Sequence, residues 1–303
     1  MARYLVLRYW YQAVADFDLV CRVKLAIAAT LLVVTVVLLL LCIPYLTKTP
    51  EPIPEPTEPT VVTEPPATEE PTLPPPEPNP FDELDFQYDG RFLKLIEGES
   101  RVGIDVSSWQ YDIDWEAVAA AGAEFAIIRI GYRGSETGLI NPDKYAQQNL
   151  AGAAAAGLDI GVYFFSQALN EEEVQEEIDF ILDIIKDYEI TMPVVFDWEY
   201  ISDEARTADM DARTLTDLNI YFCETMEEAG YTPMIYFNSY QAKNMMFLYE
   251  LEDYPFWLAY YSYRMNYPYR VEMWQYTSTG RVPGIGGNVD INVMMLDQKL
   301  RPK

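Results

Sequence analysis

Four acidic side chains stand where an acid is costly. Asp197 and Glu199 close the apolar run Met192-Pro193-Val194-Val195-Phe196 as Asp197-Trp198-Glu199. Strand side chains alternate with period two, so Asp197 and Glu199 share one face and Trp198 takes the other. Crowding and burial of two carboxyls raise one pKa and leave the other group ionised. One protonated acid beside one carboxylate is the equipment of glycoside hydrolysis. In a chain with 48 acids, a lone D-x-E reads more readily as a pair of solvated loop acids.

Asp105 and Asp290 change that balance. Asp105 ends the run Arg101-Val102-Gly103-Ile104-Asp105-Val106, and Asp290 repeats the pattern in Asn288-Val289-Asp290-Ile291-Asn292. An acid inside an apolar run is unfavourable unless it is paired or hydrogen-bonded. If these runs are adjacent strands, all four acids converge on one pocket. Such a cluster could also hold a hard cation, but no ligand-loop spacing accompanies it, so the expectation is no metal and no cofactor. Aromatic residues crowd the same strand ends: Trp109, Tyr132, Tyr163, Phe165, Tyr236, Trp257, Tyr260 and Trp274. Singly each suits a core. Together they suit a cleft that stacks sugar rings and supplies hydroxyl donors.

Composition removes the competing chemistries. The 303 residues include no His, which excludes Ser-His-Asp triads, Cys-His dyads and His-ligated metals. Acid–base work falls to Asp, Glu, Lys, Tyr or Cys. A net charge of −27 argues against nucleic-acid binding. Cys21, Cys42 and Cys223 match no zinc or redox spacing.

The elements that must position the acids follow from the hydrophobic rhythm. Eight apolar runs read as strands: Val102–Val106, Phe125–Ile130, Ile160–Phe165, Pro193–Phe196, Met234–Phe237, Phe256–Tyr260, Val271–Trp274 and Val289–Met295. Helical stretches at Trp115–Ala121, Asp143–Ala156, Glu171–Tyr188 and Leu215–Ala229 separate the first five. Strand–helix alternation predicts an α/β fold with a parallel sheet, and eight strands predict a closed barrel. The last three strands lack intervening helices, so the barrel is irregular there. Its chemistry belongs at the C-terminal ends of the strands. Residues 81–100, ahead of the first of these strands, read as a short hairpin closing the lower end of the barrel.

The first 80 residues differ in kind. Residues 1–24 form a short segment carrying Arg3, Arg8, Arg22 and Lys24. Residues 25–43, LAIAATLLVVTVVLLLLCI, are uncharged and span about 28 Å as a helix, the thickness of a bilayer core. The run is longer than a signal-peptide core and has no small-residue cleavage site after it. It reads as one transmembrane helix, with the cationic N-terminus cytoplasmic and everything after Lys48 outside. Residues 44–80 read as a Pro/Glu-rich disordered linker. From residue 49 it holds 13 prolines and seven Glu with no Lys or Arg, a composition that favours an extended tether. Residues 81–303 carry 16 Lys and Arg against 39 Asp and Glu, and form the globular part.

Residues 102–296 resemble the family 25 glycoside hydrolases, the Chalaropsis-type lysozymes. The resemblance rests on Gly103-Ile104-Asp105-Val106-Ser107 with Trp109-Gln110, Ile113-Asp114-Trp115, Phe125-Ala126-Ile127-Ile128-Arg129, Gly161-Val162-Tyr163-Phe164-Phe165-Ser166, Pro193-Val194-Val195-Phe196-Asp197-Trp198-Glu199, Trp257-Leu258-Ala259-Tyr260, Trp274-Gln275-Tyr276 and Val289-Asp290-Ile291-Asn292. Each fragment is weak alone, and their order across nearly 200 residues is specific. The resemblance implies an irregular, TIM-like (β/α)5(β)3 barrel. It implies a muramidase acting on peptidoglycan glycan strands at the bond between N-acetylmuramic acid and N-acetylglucosamine. It makes Glu199 the general acid, with Asp197 stabilising developing charge or orienting the substrate N-acetyl group, and Asp105 and Asp290 supporting acids. Two other readings remain at this point: a peptidoglycan-binding module that does not cleave, and a barrel serving only as a scaffold. The intact Asp197 and Glu199 count against the first, and the second predicts that substitutions of the acids change nothing.

Overall fold

The computed structural model describes residues 75–296. The expected transmembrane helix, residues 25–43, and most of the linker lie outside the described residues. Among the described residues, no helix is long and apolar enough to cross a membrane.

Eight strands close a barrel: β3 (Ser100–Val106), β4 (Phe125–Arg133), β6 (Asp159–Ser166), β7 (Val194–Trp198), β8 (Pro233–Asn238), β9 (Phe256–Ala259), β10 (Met273–Gly280) and β11 (Val289–Met295). Pairing of β3 with both β4 and β11 completes the ring. The first five strands are each followed by a helix: α1 (Trp115–Ala120), α2 (Ala146–Ala155), α3 (Glu171–Ile185), α4 (Ala212–Glu228) and α5 (Ser239–Asn244). The expected five β/α units and three final strands are present. The expected parallel sheet runs from β3 through β4, β6, β7, β8 and β9 to β10, and the irregular end lies at β11. β11 runs antiparallel to both β10 and β3, because the eight residues between β10 and β11 are too few for the crossover that a parallel neighbour needs. A short strand β5 (Ile140–Pro142) and helix α5 lacked a hydrophobic pattern long enough to be foreseen.

Local chemistry fixes the helix ends. Asn170 accepts from the Glu173 amide at 3.0 Å, and Glu171, Glu172 and Glu173 occupy the first turn of α3, where acids favour the helix dipole. The buried stripe of α3 is Val174, Ile178, Ile181 and Ile185, a helical spacing that lays one face on the sheet. Gly230 takes φ +87° just after α4, the left-handed position in which glycine ends helices at no steric cost.

Two apolar layers result. The barrel interior holds Phe125, Ile127, Val195, Met234, Trp257, Met273 and Met294. The outer layer, between sheet and helices, holds Phe164, Phe196, Trp198, Phe222 and Trp274 among others. Phe196 and Phe222 stack at 4.8 Å, and cutting such a ring back to Ala costs about 3–5 kcal/mol. Strands β1 (Phe86–Asp89) and β2 (Phe92–Leu95) form the expected hairpin, in a different place. Phe86 packs on Trp274 at 5.3 Å, and the Leu93 amide donates to the Tyr276 hydroxyl at 3.2 Å. The hairpin therefore covers the outer face of the strands that have no helix, rather than closing the lower end. Ahead of it, residues at the end of the expected tether are already held to the globular part. Arg270 donates its amide to the Glu77 carbonyl at 2.8 Å, Asn79 donates to the Pro268 carbonyl at 2.9 Å, and Pro78 bridges Tyr269.

Candidate active site

The alternation of β7 sends Val195 and Asp197 into the barrel and Phe196 and Trp198 outward. The Trp198 indole donates to the Ala168 carbonyl at 3.2 Å on the outer side. Glu199 continues the inward series beyond the end of the strand. Its carbonyl accepts from the Gln167 side chain at 2.7 Å, and Thr207 donates to the same Gln167 at 2.7 Å. Gln167 is fully buried, so the backbone carrying Glu199 is pinned from outside the cavity.

Asp105 and Asp290 are register partners across β3 and β11. The reversal of β11 matters here. Asp105 lies late in its strand and Asp290 early in its own, yet both reach the same mouth of the barrel. Asp105 is 5% exposed. Its Oδ2 accepts from Gln275 at 2.9 Å and from Asn292 at 2.8 Å. Asn292 accepts in turn from the Trp257 indole at 2.8 Å, and Gln275 accepts from Tyr236 and Tyr261 at 3.2 and 3.1 Å. Asp197 is also 5% exposed, and its Oδ1 has no partner among the described residues.

The four acids share one cavity of about 320 Å³. Trp109, Tyr163, Phe165, Tyr236 and Trp257 line it, as expected from the sequence. Trp109 rides on the short turn Ser108–Gln110, where Ser107 and Gln110 cap each other, and it is left 74% exposed at the mouth. Three expected aromatics stand elsewhere. Trp274 points outward into the hairpin layer. Tyr260 lines a separate groove. Tyr132 is 37% exposed beside the Arg129 guanidinium, 5.5 Å from its ring, and does not line the cavity. Six residues not foreseen as site residues also line it: Val106, Ser107, Gln110, Arg129, Tyr261 and Gln275. Arg129 is a polar residue inside an apolar run, the same clue that marked Asp105. Its charge is matched by the buried Asp143 at 2.8 Å.

Burial dominates the electrostatics. It pushes Asp105 up to about 6 against the two amide donors that favour its charge. Burial and then Asp105 lift Glu199 to about 7. Burial, then Asp105 and Glu199, lift Asp290 to about 8. Asp197 is raised by burial, then by Glu199 and Asp105, and Arg129 opposes the rise. The cavity thus holds protons at neutral pH, and Arg129 favours charge on Asp197. Among the described residues, no group of three acidic, Cys or His side chains could hold a metal ion. An array with a proton donor, a buried carboxylate and flanking aromatic rings can protonate a leaving oxygen and steady a developing positive charge.

The family model of glycosyl hydrolases family 25 matches residues 104–285, a span that includes Asp105, Asp197 and Glu199 but not Asp290. Lysozyme M1 of Streptomyces globisporus is 29% identical over 214 residues, covering 63% of this chain and 66% of that protein. The modular autolysin LytC of Streptococcus pneumoniae, solved with a synthetic peptidoglycan ligand, superposes with a TM-score of 0.54 at 25% identity. That match covers 64% of this chain and 46% of LytC, so the chain spans less than half of that autolysin's length. A family 25 glycosyl hydrolase from Bacillus anthracis superposes with a TM-score of 0.55 at 20% identity over 70% of this chain and 96% of its own, a likeness of fold.

Proposed function

Because the chain belongs to the glycosyl hydrolases of family 25, we propose that its barrel is a peptidoglycan muramidase. It cuts the β-1,4 bond between N-acetylmuramic acid and N-acetylglucosamine. The observation that carries this reading is the convergence of Asp105, Asp197, Glu199 and Asp290 on one aromatic-walled cavity.

Glu199 is the general acid. It is the less buried member of the Asp197–Glu199 pair, its carboxyl is raised to about 7, and it gives its proton to the glycosidic oxygen as the bond breaks. Asp197 is the acid beside the sugar; burial favours its protonated form, and the positive charge that develops on the sugar favours its carboxylate. Its unpartnered Oδ1 accepts the N–H of the substrate's N-acetyl group and steadies the oxocarbenium-like charge. Water then adds at the anomeric carbon and returns a proton to Glu199. Asp105 does not move protons in this scheme. Held by Gln275 and Asn292, it keeps the field that raises Glu199. Residues 25–43 anchor the chain in the membrane with the barrel outside, supported by the uncharged run and the cations ahead of it.

The purified full chain is incubated with peptidoglycan and the new ends are identified by mass spectrometry after borohydride reduction. Reduced N-acetylmuramic acid ends are expected. Ends at N-acetylglucosamine alone, or binding without new ends, overturn the assignment. Protease treatment of intact cells tests the topology: loss of the barrel with survival of the first 24 residues is expected.

A further inference from the structure

Among the described residues, the Glu199 carboxyl accepts no hydrogen bond. Its direction is therefore set by packing and by the backbone that carries it. The sheet does not hold that backbone. The pairing of β7 with β6 ends at Trp198 and Ser166, and its pairing with β8 ends at Asp197 and Tyr236. Glu199 lies one residue past the ladder, where a carbonyl must find a partner elsewhere.

Two glutamines stand in for the missing strands. Gln167 directly follows β6, and Gln241 sits in the first turn of α5, just after β8. Both are fully buried. The Gln241 side chain donates to the Trp198 carbonyl, and the Gln167 side chain donates to the Glu199 carbonyl. Neither amide can turn round. The Oε1 of Gln241 accepts from the Asn238 amide at 3.1 Å, and the Oε1 of Gln167 accepts from Thr207 at 2.7 Å, so each must present its NH2 group to the carbonyl. Arg206, paired with Glu173 at 2.5 Å, donates to the Gln167 carbonyl at 2.9 Å and steadies that residue in turn. The Trp198 and Glu199 carbonyls belong to the peptide planes on either side of the Glu199 Cα. A peptide plane moves as a unit, so holding both planes fixes φ and ψ of Glu199 and with them the direction of its side chain.

We propose that Gln241 and Gln167 are positioning residues, two braces supplied by the strands on either side of β7 that together aim the Glu199 carboxyl into the cavity. This rests on the reading of Glu199 as the general acid and adds what keeps that acid in line.

The test uses the full chain carrying Gln241→Met or Gln241→Glu at pH 5. Met fills the space of Gln but cannot donate. A buried glutamate stays protonated, so one oxygen still accepts from Asn238 while the O–H donates to the Trp198 carbonyl. On soluble peptidoglycan fragments, Gln241→Met is expected to lose roughly 10–100-fold in kcat, the result of a small misplacement, with KM nearly unchanged. Gln241→Glu is expected to recover most of that loss. A Met variant as active as the Glu variant overturns the proposal, because the side chain then only fills space. Gln167→Met carries the same expectation at the other brace, should α5 fail to form without its cap. A second readout needs no substrate. By carbon-13 NMR the Glu199 carboxyl is expected to titrate at about 7 in the parent, and closer to the ordinary glutamate value in either Met variant. An unmoved titration in the Met variants overturns the positioning role even if the rate falls. A moved titration in a chain that cuts no glycan would end the muramidase reading and leave the braces standing.

Discussion

Asp105 and Asp290 oppose each other directly across the seam that closes the barrel, on strands that run in opposite directions. Like charges at opposed sheet positions are destabilising. The seam tolerates them because the two are not alike. Asp105 accepts two amide donors, whereas Asp290 is pushed up to about 8 and stays protonated at neutral pH. The pair holds one charge, and that charge sits on the residue with hydrogen bonds to receive it.

Stability should therefore fall as pH rises. Folded Asp105, Glu199 and Asp290 keep protons to about 6, 7 and 8, whereas an unfolded carboxyl gives them up near pH 4. The folded state binds more protons in that window, so the stabilisation is complete below about pH 4 and is lost as pH climbs to about 8. Melting temperature followed from pH 4 to 9 should decline, and Asp290→Asn should decline less steeply. Identical slopes in parent and variant would count against the assignment.

Hydrolysis should fail on the basic side as Glu199 loses its proton. We expect kcat/KM for the free enzyme to drop above about pH 7. Glu199→Gln should fold and lose roughly 10²–10⁴-fold in rate, the usual worth of a general acid. Retention of activity in that variant, or a flat profile to pH 9, would remove Glu199 from its role.

Asn292 should matter more than its neutral side chain suggests. It connects the Trp257 indole to Asp105, and Asn292→Leu would leave the indole without its acceptor and Asp105 with Gln275 alone. A buried group deprived of its partner costs about 1–3 kcal/mol, visible in denaturant unfolding. Activity should fall with it, because Asp105 would reorient. An unaltered unfolding midpoint would show that Trp257 and Asp105 find other partners.

Ionic strength should help rather than hinder. Residues 81–303 carry 39 acids against 16 bases, and an anionic wall polymer repels them. Screening shortens that repulsion, with a Debye length of about 10 Å at 0.1 M salt. Turnover of intact walls should rise from low salt to moderate salt. A steady decline from the lowest salt upward would point to an attractive encounter instead.

The sequence was most legible where alternation and cost agree. An acid at the end of an apolar strand is unfavourable unless used, and that clue found Asp105, Asp197, Glu199 and Asp290 together. The aromatics were less legible because any ring suits either layer. Strict alternation would have helped. Trp257, Ala259 and Tyr261 form an inward series along and beyond β9, and Met273 and Gln275 form one in β10. Tyr260 and Trp274 are the outward neighbours of those positions. Tyr132 follows an irregularity between Arg129 and Gly131, where the pairing of β4 with β6 shifts register, and alternation cannot be carried across such a shift. The reversal of β11 left no mark in its composition, since a run buried on both sides reads alike in either direction.

The bonds at Glu77 and Asn79 have a mechanical meaning. Tension arriving along the chain from its N-terminal side is delivered first to the contacts with Pro268 and Arg270, including the Glu77–Arg270 ion pair at 2.7 Å. These lie on the connection between β9 and β10. The strands that carry Asp105 and Asp290 come later along the chain and stand outside that load path. A pull from that side meets this clamp before it reaches the strands that set the spacing of the acids.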